Sequence, residues 1–448
     1  MNAPLLKRLP LMLLIAVSLL AAIGSSALAA GDPTGEILMA QAEDPAGEAL
    51  TFVWLTIAAV LVFFMQAGFG LVESGFAQAK NTVNIWSKNY MDLCIGGLAY
   101  FFFGYGVMYG TDIAGFIGSD GFLLLGDYYD VSHARDWFFQ MVFAATAATI
   151  VSGAMSERTR ITAYMAYSFI LSGIVYPLSG HWVWGGGWLA NMGFHDFAGS
   201  GVVHMIGGFV GLVGAKMVGP RIGKFNEDGT PNHMPPHNAT YIVLGGLILF
   251  LGWFGFNAGS TLSGTDLRLS VIAVNTMLAA LAGTTVYVYI VLIRTGKISL
   301  TGAVNGSLAG LVAITAPCAV VAPWSALVIG GLAAVVLMFS ERFVEYVLKV
   351  DDPVGAVSVH GTVGLFGVLM VGVFADGTYG GVSGLIAGNA GQFVTQLIGG
   401  LVLLAWALVG GGIMFALIKV GMGLRASDEE QIAGLDEHEH GMAAYQLN

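Results

Sequence analysis

The sequence predicts an all-α polytopic membrane protein. Its mature part carries eleven transmembrane helices, arranged as two inverted five-helix repeats plus a final helix. Three observations predict this. The 448 residues are 56% hydrophobic and only 10% charged, with mean hydropathy +0.77. A soluble domain carries about 25% charged residues, so there are too few charges to coat this much apolar surface. Apolar stretches close to the ~20 residues needed to cross hydrocarbon recur along the chain. A histidine motif on the fifth stretch returns on the tenth. The same composition excludes a water-soluble enzyme and a disordered scaffold. The net charge of −11 argues against a nucleic-acid partner, which demands basic patches. Two cysteines, Cys94 and Cys318, both in apolar segments, leave no disulfide framework and no cysteine metal site.

Taken in order, residues 1–30 read as a secretory signal peptide. Lys7 and Arg8 give a positive start, Leu11 to Ile23 a short apolar run, and Ala27-Leu28-Ala29 a small-x-small cleavage site. An acidic leader follows (Asp32, Glu36, Glu43, Asp44, Glu48). The membrane domain then occupies 31–420. Repeat one (about 50–220) holds spans near 50–72, 91–110, 137–156, 161–179 and 198–218. Repeat two (about 239–375) holds spans near 239–260, 269–293, 298–316, 324–340 and 354–375. The uncharged run from Ile298 to Ser340 is too long for one span, and Pro317 and Pro323 mark the turn that splits it. The last helix lies near 393–420, and residues 421–448 form a short acidic tail. Two carboxylates fall at span ends, Glu73 and Asp92. Bonding to a serine or asparagine of a neighbouring helix would account for Glu73, and a functional role stays open for both.

Charge sets the orientation. With the mature N-terminus outside and the spans alternating, 13 of the 15 Lys and Arg after residue 8 fall on the inner side. Only Arg135 and Arg268 fall outside. The positive-inside rule favours that arrangement and places the C-terminus in the cytoplasm. The expected location is the bacterial inner membrane. The loop between spans two and three is acidic (Asp112, Asp120, Asp127, Asp130, Asp136) and would mildly concentrate cations at the outer mouth.

The repeated motif is V-H-x-x-x-G-x-x-G, at 203–211 and 359–367. An aspartate stands eight residues before each histidine: Asp196 before His204 and Asp352 before His360. Five spans separate the copies. That number is odd, so the halves are inverted, a transporter signature with the pathway at the repeat interface. A single histidine in an apolar span is as well explained by a bond to a backbone carbonyl as by function. A symmetry-related pair points to a pathway. No third ligand of suitable type accompanies either histidine, so no metal site is expected. A neutral imidazole has one donor and one acceptor nitrogen, so a pair can line a narrow path for a small polar molecule or a proton. Gly208, Gly211, Gly364 and Gly367 share one helix face and suit close helix packing.

Several segments, in order, resemble the ammonium transporter family (Amt/Mep, related to Rh). They are Asp196 to His204 (DFAGSGVVH), Gly252 to Ser260 (GWFGFNAGS), Ser156-Glu157-Arg158, Asp351-Asp352-Pro353, and Gly423-Leu424-Arg425 followed by Gly434-Leu435-Asp436. The resemblance covers nearly the whole mature chain. It implies a homotrimer with one pore per subunit. Phe143, Trp184 and Ser260 would form an outer recruitment site for ammonium. Phe143 and Phe256 would form a phenyl gate below it, and His204 and His360 the twin-histidine pore. Asp196 and Asp352 would be supporting carboxylates; Trp188 has no assigned role. Where some relatives have Tyr-Gly-Gly at the end of span one, this chain has Glu73-Ser74-Gly75. The resemblance further implies that the tail docks on the inner face and contacts PII signal-transduction proteins.

The expected function is ammonium transport, with methylammonium as an analogue substrate and no cofactor. The alternative is an ammonium sensor that binds without net flux. HExxH, Gly-x-Ser-x-Gly and a redox cysteine pair are all missing from the sequence, so an enzyme is not expected.

Overall fold

A computed structural model describes residues 31–445. The expected signal peptide, 1–30, lies outside the described residues. Ten helices are long and apolar enough to span a membrane, and one shorter apolar helix takes the eighth place in order. They are α1 (Pro45–Phe76), α2 (Ala79–Tyr109), α3 (Val131–Met155), α4 (Ile161–Asn191), α5 (Ser200–Val218), α6 (Ala239–Gly259), α7 (Arg268–Thr295), α8 (Leu300–Thr315), α9 (Pro323–Val347), α10 (Val357–Phe374) and α11 (Ala390–Gly421). At 16 residues α8 reaches only about 24 Å at 1.5 Å per residue. The turn after it is buried rather than at the surface. Its backbone is satisfied from inside, since Asn275 Nδ2 donates to the Cys318 and Val321 carbonyls at 2.8 Å each.

The halves pack alike. α1 lies along α6, and α5 meets α10. Within each half the second helix packs on the fourth and the third on the fifth. The α1–α6 seam is built on close approach: a methyl on Gly245 would sit 2.6 Å from the Gly68 carbonyl oxygen. In hydrocarbon, where burial of apolar surface gives no drive, such backbone contact supplies the packing. α3 is 94% buried over its apolar window and α7 only 22%, so α3 is central and α7 peripheral. Exposed Leu247, Leu251, Ile293, Phe339, Val409 and Leu417 make the outer surface apolar.

Two boundaries differ most from expectation: α4, expected to end near 179, runs on to Asn191, and α2 starts early. α2 begins at Ala79, not near 91, because its first turns carry Asn81, Asn84, Lys88 and Asn89 and fall outside any apolar window. They are buried against protein instead. Asp436 of the tail accepts from the Val83 and Asn84 amides at 3.0 and 2.8 Å, and Lys80 donates to the Gln431 and Ile432 carbonyls. The tail is ordered against the bundle up to Tyr445, whose hydroxyl meets His237 at 3.0 Å. The face carrying this tail is called the tail face below. The opposite one, carrying the 112–136 loop, is the acidic-loop face.

The tail-face ends of the halves are tied by a buried ionic knot. Arg221 pairs with both oxygens of Asp351 at 2.8 and 2.9 Å and also with Glu157. Arg158 donates to the Asp351 carbonyl at 2.6 Å. Burial pushes the Asp351 carboxyl up, but the Arg158 and Arg221 guanidiniums outweigh it and hold the pKa at about 2. A carboxyl held below its ordinary 3.8 stabilises the fold fully above that value and loses the contribution as pH falls through about 2. Removing one partner of such a pair costs about 3–5 kcal/mol. Arg221→Ala is therefore expected to lower the melting temperature clearly at neutral pH. Asp351→Asn should also flatten the acid limb of a thermal-shift profile between pH 3.8 and 2.

Candidate functional site

The site lies along the crossing of α5 and α10. Both histidines sit in π-helical turns, Ser200–Met205 and Val357–Thr362, a distortion frequent at functional positions. Each turn is capped in the same way. Asp196 accepts from the Gly199, Gly201 and Val202 amides at 3.0, 2.9 and 2.9 Å. Asp352 accepts from the Ala356 and Val357 amides at 3.0 and 2.8 Å. Each carboxylate thus satisfies the free amides that start its histidine helix. This gives the eight-residue spacing a structural reason in both halves.

The two turns touch. A methyl on Gly208 would lie 2.1 Å from the Gly361 nitrogen, so only hydrogen fits. That contact brings the imidazoles together, with His204 Nδ1 3.2 Å from His360 Nδ1, ring centroids 5.2 Å apart and planes 23° off parallel. Both rings are buried. Two facing Nδ1 atoms at this distance require one to carry the proton and the other to accept it, so the rings hold opposite tautomers. His204 is stacked against Trp253 at 5.0 Å and Phe256 at 5.3 Å. Trp253 is itself fixed by Nε1 donating to Thr315 Oγ1 at 2.8 Å.

Toward the acidic-loop face, Phe256 is stacked on Phe143, centroids 4.1 Å apart, and the pair stands over His204. Phe143 meets Trp184 edge-on at 6.3 Å. Above them opens a cavity of about 320 Å3 lined by Phe143, Trp184, Ser260 and Asp196 among others. Trp184 is held by its Nε1 donating to the Asp196 carbonyl at 2.7 Å. Ser260 caps α6 and donates its hydroxyl to the Phe256 carbonyl at 2.9 Å, which leaves its oxygen lone pairs free to accept. Phe143, Trp184 and Ser260 thus line this cavity, and Phe256 continues the column of rings from Phe143 down to His204. Asp352 is not in that cavity. It borders a second one, of about 360 Å3, on the tail face.

Sequence reasoning missed three neighbours. Trp253 stands one helical turn before Phe256. Gln140 and His195 line the upper cavity, and Gln140 Oε1 and His195 Nε2 are buried without partners. Gln140 is three residues before Phe143 on the same helix face, and His195 adjoins Asp196; these spacings were the available signals. Trp188 packs on Trp182 and Phe116, away from the column. Glu73 accepts from Ser152 at 2.8 Å, and Asp92 from Ser168 at 2.5 Å. Among the described residues no cluster of three or more potential ligands could hold a metal.

The family model described as Ammonium Transporter Family matches residues 53–445. The ammonium transporter Amt2 of Archaeoglobus fulgidus is 47% identical over 437 residues, covering 94% of this chain and 92% of that protein. Ammonium transporter 1 member 3 of Solanum lycopersicum is 38% identical, covering 89% and 93%. Among solved structures, a sensor Amt protein superposes with TM-score 0.83 at 37% identity, over 88% of this chain and 99% of that one. Candida albicans Mep2 superposes with TM-score 0.79 at 28% identity, over 91% and 92%.

Proposed function

The chain belongs to the ammonium transporter family, and from that premise we propose that it takes ammonium from the outside, removes a proton, and conducts ammonia inward past paired histidines. The acidic-loop face is outward, as the distribution of Lys and Arg favours. Ammonium settles among Phe143, Trp184 and Ser260. The aromatic faces attract a cation by about 0.5–2 kcal/mol per contact. Ser260, its own proton engaged, offers only lone pairs, which accept from a ligand with N–H donors and also coordinate potassium. Potassium and ammonium are alike in size and charge, so these contacts select modestly. The stronger filter lies below. Phe143 and Phe256 close the column with apolar rings, and a bare charge in the membrane costs about 2.5–3.5 kcal/mol or more. Ammonium avoids that cost by shedding a proton; potassium has no neutral form. Ammonia then meets the imidazoles, whose donor and acceptor nitrogens replace its lost water. The released proton moves along the same pair by exchange of tautomers.

The single observation that supports this most is the 3.2 Å Nδ1–Nδ1 contact, buried directly below the stacked phenyl rings. Asp196 and Asp352 act by holding the histidine turns in place. By family likeness the assembly is a homotrimer in the bacterial inner membrane, made with a cleaved signal peptide, and the tail face receives a PII protein. The test is flux: purified protein in vesicles should accumulate methylammonium down an imposed gradient. The likeness to a sensor Amt protein favours a second reading, binding without flux. Saturable ligand binding in vesicles that stay impermeable would establish that reading and overturn transport.

A further inference from the structure

We propose that Glu73, which the pathway above does not use, takes up the relayed proton on the tail-face side of His360 and returns it to ammonia leaving the pore. This rests on the transport reading. Glu73 lies in the last turn of α1 and is buried, 2% exposed. Its carboxyl is aimed by one bond, since Ser152 donates to Oε2 at 2.8 Å. Oε1 is buried and has no partner. An unsatisfied carboxylate oxygen in hydrocarbon is costly, and carboxylates kept at such positions mark proton and ion routes.

The place of that oxygen gives it a use. Just past His360 is a cavity of about 20 Å3, room for about one water. Glu73 and His360 both line it, and the only other polar side chain in its wall is Asn305. Asn305 donates to the Val354 carbonyl at 3.3 Å, and an amide neither takes up nor releases a proton at ordinary pH. Among the described residues, His360 and Glu73 are therefore the two groups in this wall that can exchange one. Asn305 and Val354 also border the wide tail-face cavity, which carries Asp352, Glu341 and Lys224. The small cavity thus bridges the histidines and the acidic mouth. Around Glu73, α10 contributes His360, α3 contributes Ser152 and its C-cap Ser156, α2 contributes Lys88 and Asp92, one group of each sign, and α4 contributes Tyr164 and Tyr167. The cavity walls from α6 and α8 hold no titratable side chain.

The step balances without a co-reactant. An N–H bond of the His360 imidazolium breaks and an O–H bond forms on Glu73, leaving a neutral ring and a neutral acid. Ammonia arriving beside the acid takes that proton: the O–H bond breaks, the fourth N–H bond forms, and the carboxylate is regenerated. Ammonium then leaves through the mouth lined by Asp352 and Glu341.

A purely structural role, anchoring α1 to α3 through Ser152, predicts something different, because glutamine keeps the shape and the acceptor oxygen. The experiment records ammonium-driven current across a pH series on vesicles holding wild type, Glu73→Gln, Glu73→Asp or Ser152→Ala. Glu73→Gln is expected to lose about tenfold or more of the current with its melting temperature unchanged, in the range that loss of a positioned acid–base group brings. Glu73→Asp should restore part of it with a shifted pH profile, and Ser152→Ala should keep most of it. Wild-type current and pH profile in Glu73→Gln would overturn the assignment. If Glu73→Gln does not fold, infrared difference spectra of wild type decide. A carboxylic-acid band that changes with ammonium is expected, and its absence across the pH series would overturn the proposal. A silent wild type would sink the transport reading itself, whereas an active wild type matched by Glu73→Gln sinks only this one.

Discussion

Replacing His204 by alanine is expected to reduce methylammonium uptake by roughly 10²-fold, the range seen when a positioned acid–base group is removed. The reason lies in the pairing. His204 Nδ1 is the partner of His360 Nδ1, and its ring fills the space between Trp253, Phe256 and His360. Its loss breaks the direct Nδ1–Nδ1 link between the rings and strips ammonia of its first hydrogen-bond partner below the gate. The two imidazoles work as one unit, so His204→Ala,His360→Ala should lose no more than either single change. Additive losses would show that each histidine serves a separate step. Thermal unfolding of detergent-purified protein separates this effect from misfolding.

Gly208→Ala is expected to be as damaging although it removes no functional group. The added methyl would lie 2.1 Å from the Gly361 nitrogen and 2.5 Å from its Cα, both backbone atoms that do not yield. α5 and α10 would have to separate, which costs about 1–3 kcal/mol or more by overpacking and draws the imidazoles beyond hydrogen-bond reach. Gly211 supplies the control. A methyl there meets only the Ala154 Cβ at 3.2 Å and Val151 Cα at 3.6 Å, so Gly211→Ala should transport nearly normally. Equal uptake by the two variants would contradict the idea that this contact sets the histidine geometry.

These cases show what the sequence discloses and what it withholds. The spans were legible because hydrocarbon imposes a length on them: α5 to α8, α10 and α11 fall within a few residues of the apolar windows, α3 and α9 overrun theirs by about two turns, and α4 continues twelve residues further, to Asn191. α2 was misplaced by a dozen residues because its polar first turns are buried against the tail, a partner that local hydropathy does not register. The histidine pair was legible through its repetition, with the aspartate at fixed spacing. That spacing proved to be a helix cap in both halves. Gln140 and His195 were signalled only by their spacing to Phe143 and Asp196, which does not distinguish a polar residue facing a cavity from one bonded within the protein. Glu73 stood out in the sequence as a carboxylate in a span. Its orphan oxygen beside His360 depends on α1, α3 and α10 converging, which only the fold reveals.

The central claim is that the ion crosses the buried phenyl–histidine column only after giving up its charge. Its most direct test sets ammonium against potassium on the same reconstituted protein. With equal inward gradients, the account predicts sustained ammonium uptake and no measurable potassium flux, with the ammonium uptake falling sharply in His204→Ala. Potassium flux through the wild-type protein at a rate comparable to ammonium would contradict it, since a cation with no proton to shed would then have passed the column intact.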